Sequence, residues 1–128
     1  MKPVLSVAEN LATWAALHGA PRAAIPRALE RAGLAAFAEV PGRLLSAGQK
    51  RRLALTRLFA VPAKLWLLDE PTVGLDRSAV GRLVEALAAH RAEGGCVVVT
   101  SHVEIALPGH GHLDLADFRA PLAAGPVG

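Results

Sequence analysis

Two acids at the end of a short apolar run are the first residues that could do chemistry. Leu65-Trp66-Leu67-Leu68 is continuous and hydrophobic, and Asp69 and Glu70 follow it directly. A buried parallel strand reads this way, and open α/β sheets bind ligands at the C-terminal ends of their strands. The first carboxylate could hold a Mg²⁺ ion, usually through water, and the second could orient or deprotonate an attacking water. Acids at strand ends are common, so the pair alone decides nothing. A second candidate is Leu45-Ser46-Ala47-Gly48-Gln49, placed where a helix starts. The free N–H groups of a helix N-terminus suit a phosphate, Gly48 lets the backbone approach closely, and the Ser46 hydroxyl adds a donor. The same residues form an S-x-x-Q capping box, in which Ser46 and Gln49 only close the helix. Ser101-His102 follows another apolar run, Cys96 to Thr100, and would project from the same sheet edge as Asp69 and Glu70. His102 could touch a phosphate, hold a water in place, or merely terminate the strand. Asp76 could serve a site or cap the helix that begins at Arg77.

These residues need elements to position them. From Ser6 to about Ala60 the chain reads as helices. Ser6-Val7-Ala8-Glu9 is a capping box, Leu11, Trp14, Ala15 and Leu17 give the helix an apolar side, and Gly19 is placed to end it. A shorter helix is expected from about Arg22 to Ala32, with Pro26 in or near its first turn and Gly33 at its end. Gly42 marks a break. Ser46 then opens a helix reaching Phe59 or Ala60, with Leu53, Leu55, Leu58 and Phe59 as its apolar positions and Pro62 as its stop. Beyond it the pattern becomes strand, helix, strand. The helix runs from Arg77 to about Ala92 with Leu83, Val84, Leu87 and Ala88 facing inward, and the β-branched run Cys96–Thr100 is a second buried strand. His112 to Leu115 is a weaker candidate for a third strand, and the Ala-rich tail after Phe118 is expected to fray. The fold class is α/β.

Composition bounds the function. With 128 residues the chain is one small domain or a piece of a larger one, and 52% hydrophobic content argues against wholesale disorder. The net charge of +3 is scattered, and the one tight basic run, Lys50-Arg51-Arg52, is too short to argue for nucleic acid and fits a solvated helix face. A single cysteine, Cys96, excludes a disulfide within the chain and is expected as a buried, inert core thiol. No apolar stretch approaches the length that spans a bilayer, and Glu9 and Asn10 interrupt any leader-like run after Lys2. The chain is read as soluble and cytoplasmic, with any membrane connection made through a partner.

Taken in order, Leu45-Ser46-Ala47-Gly48-Gln49, Leu67-Leu68-Asp69-Glu70-Pro71-Thr72, Gly74-Leu75-Asp76 and Ser101-His102 resemble the signature motif, Walker B motif, D-loop and switch histidine of the ABC ATPase nucleotide-binding domain. The spacing is familiar as well: 23 residues separate Ser46 from Asp69, and 32 separate Glu70 from His102. Ala47 stands where the family usually has glycine, but working members carry alanine there. The resemblance implies the C-terminal portion of such a domain. Residues 1–60 would be a helical subdomain ending in the signature helix, and 61–128 the C-terminal part of a RecA-like parallel-sheet core. It implies Asp69 as the Mg²⁺ carboxylate, acting through water, and Glu70 as the catalytic carboxylate beside the hydrolytic water. His102 would contact the γ-phosphate of ATP. Ser46, Ala47, Gly48 and Gln49 would face the γ-phosphate of ATP held by the second ATP-binding subunit of a head-to-tail dimer, with Asp76 at that interface.

The family also carries a phosphate-cradling loop, G-x-x-x-x-G-K-[ST]. Lys2, Lys50 and Lys64 are followed by Pro3, Arg51 and Leu65, so none fits, and the single glutamine, Gln49, already belongs to the signature. Both that loop and the family's Q-loop are expected upstream of Met1, as in a truncated reading frame or a degraded gene. Without the strand that carries the loop, Val97 to Val99 are expected on an exposed apolar edge. Within the family, the stretch from Lys2 to Leu11 with Trp14, the tryptophan-bearing Lys64-Leu65-Trp66-Leu67-Leu68-Asp69, and Leu107-Pro108 with His112-Leu113-Asp114-Leu115 are similar to the ATP-binding subunits of cytochrome c maturation (Ccm) haem exporters. That likeness implies an ATPase peripheral to the cytoplasmic face of the bacterial inner membrane. Its partners would be membrane-spanning Ccm-type exporter subunits, with no nucleic acid. His18, His90, His110 and His112 show no spacing that argues for iron. An ABC subunit for another cargo and a catalytically dead remnant are the alternatives.

Overall fold

Ser6 and Glu9 start the first helix, α1 (Val7–Leu17), by exchanging hydrogen bonds: Ser6 Oγ accepts from the Glu9 N–H at 3.1 Å, and the Glu9 carboxylate accepts from the Ser6 N–H at 2.7 Å. Val7, Leu11 and Ala15 fall four residues apart, and they are the buried row. Leu17, expected on that side, is 79% exposed, because two residues past Ala15 it has turned roughly 200° around the helix. The second helix, α2 (Ile25–Ala32), has Pro26 in its first turn and ends at Gly33, whose φ of +71° only glycine adopts cheaply. The third, α3 (Ala47–Ala60), buries Leu53, Thr56 and Ala60, and the Thr56 hydroxyl is satisfied by donating back to the Arg52 carbonyl at 2.7 Å. Together the three helices enclose one cluster of buried side chains that includes Leu11, Leu29, Leu34, Leu45 and Leu53.

The computed structural model describes residues 2–119, so the tail expected to fray lies almost wholly outside the described residues. After Pro62 the chain forms β1 (Leu65–Asp69), α4 (Arg77–Ala92) and β2 (Cys96–Thr100). The two strands pair in parallel, with Leu65 opposite Cys96 and Asp69 opposite Thr100. The architecture is α/β, as expected. A second buried cluster gathers Trp66, Leu83, Ala86, Leu87 and Leu107 between the sheet and α4. Ala86 takes the inward place expected of Ala88, which is exposed, while Val84 is only half-buried.

Three expectations change here. Both strands were expected to be buried on both faces, yet their exposure alternates, because α4 covers one face only. Leu65, Leu67 and Val98 on the other face are 50%, 68% and 52% exposed. Cys96 shares that bare face and is exposed, so it is not a core thiol. The third strand does not form: the Asp114 carboxylate accepts from the Ala116 N–H at 2.9 Å and starts a 3₁₀ turn over Leu115–Phe118 instead.

Candidate active site

The parallel register brings the polar residues together at one end of the sheet. Asp69 is the last residue of β1 and sits opposite Thr100, whose hydroxyl donates to Asp69 Oδ1 at 2.5 Å. The next N–H, that of Glu70, donates to the Thr100 carbonyl at 3.0 Å and lies 3.2 Å from its hydroxyl oxygen. Glu70 then leaves the strand with φ at +46°, the one non-glycine residue among those described in the left-handed region. Its carboxylate meets His102: Oε1 is 3.1 Å from Nε2, and Oε2 accepts from the His102 N–H at 3.4 Å. The contact is a charged pair whenever the imidazole is protonated. The imidazole itself stays 96% exposed, free to meet a ligand, while the Glu70 side chain is 27% exposed.

The helix-start candidates lie on α3. Ser46 caps it, its Oγ accepting from the Gln49 N–H at 3.1 Å while Gln49 Oε1 accepts from the Ser46 N–H at 2.9 Å. Capping therefore uses the acceptor side of the Ser46 hydroxyl and leaves its proton to donate outward. Ala47 is exposed, and a Cβ added at Gly48 would lie 3.5 Å from the Gly74 carbonyl, an ordinary contact. The chain's own packing thus leaves room for a side chain at Gly48. Asp76 caps α4 through Oδ1, which accepts from the Ala79 N–H at 2.8 Å, while Oδ2 pairs with Arg52 Nη2 at 2.6 Å. The Ala79 N–H bond, working against desolvation and with the Arg52 and Arg82 charges, holds the Asp76 carboxyl below the usual carboxylate range.

Sequence reasoning missed three residues here. Thr100 read only as the end of a strand, and Arg51 and Arg52 read as part of a solvated face. Arg52 instead clamps Asp76, and Arg51 Nη2 donates to the Glu70 carbonyl at 2.7 Å. Within the run Lys50-Arg51-Arg52, Lys50 alone is exposed. Nothing in their spacing reveals this without knowing how α3 packs. Two other histidines pack locally: His90 stacks on Trp66 with ring centroids 3.8 Å apart, and His18 stacks on Trp14 at 4.2 Å.

No group of three or more His, Cys, Asp or Glu side chains among the described residues could hold a metal ion. The sheet edge offers Asp69 and the Thr100 hydroxyl, a set too small to cage a metal. It does fit Mg²⁺ arriving on a phosphate, since that ion takes one or two carboxylates and fills its shell with water and phosphate oxygens. No helix among the described residues is long and apolar enough to cross a membrane.

The chain is similar to known proteins in sequence and in fold. The family model for the ABC transporter matches residues 1–73, more than half of the chain. The cytochrome c biogenesis ATP-binding export proteins CcmA of Rhodospirillum rubrum and Paramagnetospirillum magneticum are each 55% identical to it, over 118 and 122 residues. Each alignment covers 92% of this chain, and 51% and 56% of the two relatives, so the chain spans about half the length of the curated relatives it matches. Among solved structures, an ATP-binding cassette captured as a dimer after hydrolysis with ADP and Pi superposes with a TM-score of 0.69 at 29% identity, covering 79% of this chain and 47% of that one. An ATP-binding subunit of an ABC transporter gives a TM-score of 0.70 at 24% identity, covering 80% of this chain and 45% of that one, a likeness of fold. The chain belongs to the ABC transporter family.

Proposed function

We propose that this chain is the signature-bearing, water-activating part of the ATP-binding subunit of an ABC exporter that serves haem delivery in c-type cytochrome biogenesis. The observation that carries the reading is the 3.1 Å contact between Glu70 and His102, two residues 32 apart in sequence that meet beside Asp69 at the sheet edge. Glu70 accepts the proton of the attacking water through a carboxylate oxygen. His102, turned toward solvent, steadies the phosphate side of the site. Asp69, oriented by the Thr100 hydroxyl, would hold Mg²⁺ through water, and that ion would supply neutralisation of phosphate charge. Ser46 and Gly48 donate from the start of α3 to a nucleotide gripped by a second ATP-binding subunit, and the dimeric state of the solved ATP-binding cassette supports such pairing. The two 55%-identical relatives are ATP-binding export proteins of cytochrome c biogenesis, which supports that export role here. Membrane-spanning exporter subunits complete the assembly, with this chain peripheral to them at the cytoplasmic face of the inner membrane.

The test is a chimera in which the N-terminal part of the Rhodospirillum rubrum relative precedes Met1. Glu70→Gln in that chimera should leave ATP binding intact and lower steady-state phosphate release ~10²–10⁴-fold, the usual scale for loss of a general base. Release near that of the unsubstituted chimera would remove Glu70 from the role.

A further inference from the structure

Glu70 is held from two sides. Its N–H is fixed by Thr100 of β2 at 3.0 Å, and its carbonyl is fixed by Arg51 of α3 at 2.7 Å. The same Arg51 Nη2 comes within 3.5 Å of the Asp69 carbonyl, while Arg51 Nε is buried with no hydrogen-bond partner. A guanidinium placed for stability alone is expected to satisfy its buried N–H groups, and this one leaves Nε unpaired to reach the end of β1. The residue it holds is the one with φ at +46°, and the carboxylate of that residue meets His102. Rotation of the Glu70 peptide out of the left-handed region would swing the carboxylate away from His102.

We propose that Arg51 is a positioning residue for hydrolysis: it ties the Glu70 carbonyl to α3, so that the placement of the signature helix sets the orientation of the Glu70 carboxylate. The inference rests on the reading of Glu70 as the water-activating group. Ser46 caps the same helix five residues before Arg51, so little more than one helical turn separates them. A shift of α3 as Ser46 engages a partner's phosphate therefore moves the anchor of Glu70 in its own chain. Charge-assisted bonds to carbonyls are short and directional, which suits them to this coupling.

Two measurements test the proposal. In the 128-residue chain, residue-resolved amide hydrogen exchange of Arg51→Met should quicken several-fold at Glu70 and His102, while Leu11 and Leu29 in the other cluster keep their protection. Lys50→Met, at the exposed neighbour, should change neither pair. If Arg51→Met loses protection throughout, Arg51→Lys decides: its single, shorter donor should fold and still quicken exchange at Glu70. Unchanged exchange at Glu70 and His102 in a folded Arg51 variant overturns the proposal. In the chimera, Arg51→Met should lower kcat about 10- to 100-fold, the scale of a displaced catalytic group, with KM for ATP unchanged. Full activity, or a rise in KM at constant kcat, overturns it as well. A chimera that is inactive before any substitution counts against the ATPase reading, and the exchange data then decide the Arg51 link by themselves.

Discussion

Ser46 shows how one hydroxyl can serve structure and chemistry together. Capping occupies one of its lone pairs through the Gln49 N–H, and the proton remains for an acceptor outside the chain. Ser46→Ala should cost about 1 kcal/mol of stability, as loss of a cap does. In the chimera, ATP turnover should fall by more than that loss explains. Chemical denaturation and phosphate release measured on the same protein decide, and equal losses would leave Ser46 a cap only. At this scale the sequence shows polar residues in order along the chain, which was enough to single out Ser46, Asp69, Glu70, Asp76 and His102. It did not reveal Thr100 or Arg51, since their partners are backbone and side-chain atoms supplied by strand register and helix packing.

The pairing of α3 with α4 runs through Asp76, which caps α4 and accepts from Arg52 of α3. Its carboxyl is held below the ordinary value of 3.8 by the Ala79 N–H first and the Arg52 charge after it. A depressed folded value means the stabilisation is complete above about pH 4 and is lost as pH falls through the lowered folded value. Urea unfolding followed from pH 6 down to pH 2 should therefore show the native chain and Asp76→Asn converging in acid, with their difference constant near neutrality. A gap that widens on acidification would contradict the assignment. Element types were legible because capping boxes, Gly33 and β-branched runs are local signals. The failures were not local. The continuous apolar runs of β1 and β2 suggest cover on both faces, but α4 supplies cover on one. The short run at His112 pairs with neither free edge of the two-stranded sheet, and Asp114 bends it into a turn.

At the scale of the whole chain, the phosphate-gripping loop of the family is not among the 128 residues, and the site that is present is acidic on balance. Ser46 and Gly48 offer two donors, each worth roughly 1.5–3 kcal/mol toward a charged phosphate. A micromolar dissociation constant needs about 8 kcal/mol. The isolated chain should accordingly show no micromolar Mg-ATP site in equilibrium dialysis, and stoichiometric binding at that concentration would refute the argument. The bare sheet face carrying Leu65, Leu67, Cys96 and Val98 points the same way, since an apolar surface of that kind is ordinarily covered. Of the run Val97 to Val99 expected on an exposed apolar edge, Val98 lies on this bare face, while Val97 and Val99 pack half-buried against the cluster under α4.

The left-handed backbone of Glu70 has a consequence for how the gene can drift. Glycine would adopt a φ of +46° without the cost of about 1–3 kcal/mol that a side chain incurs there. A single base change converts a glutamate codon to a glycine codon. For this sequence, the mutation that most easily relaxes the backbone is also the one that deletes the carboxylate. Glutamate at that position is therefore what purifying selection for the chemistry would leave behind, and glycine is what its relaxation would produce.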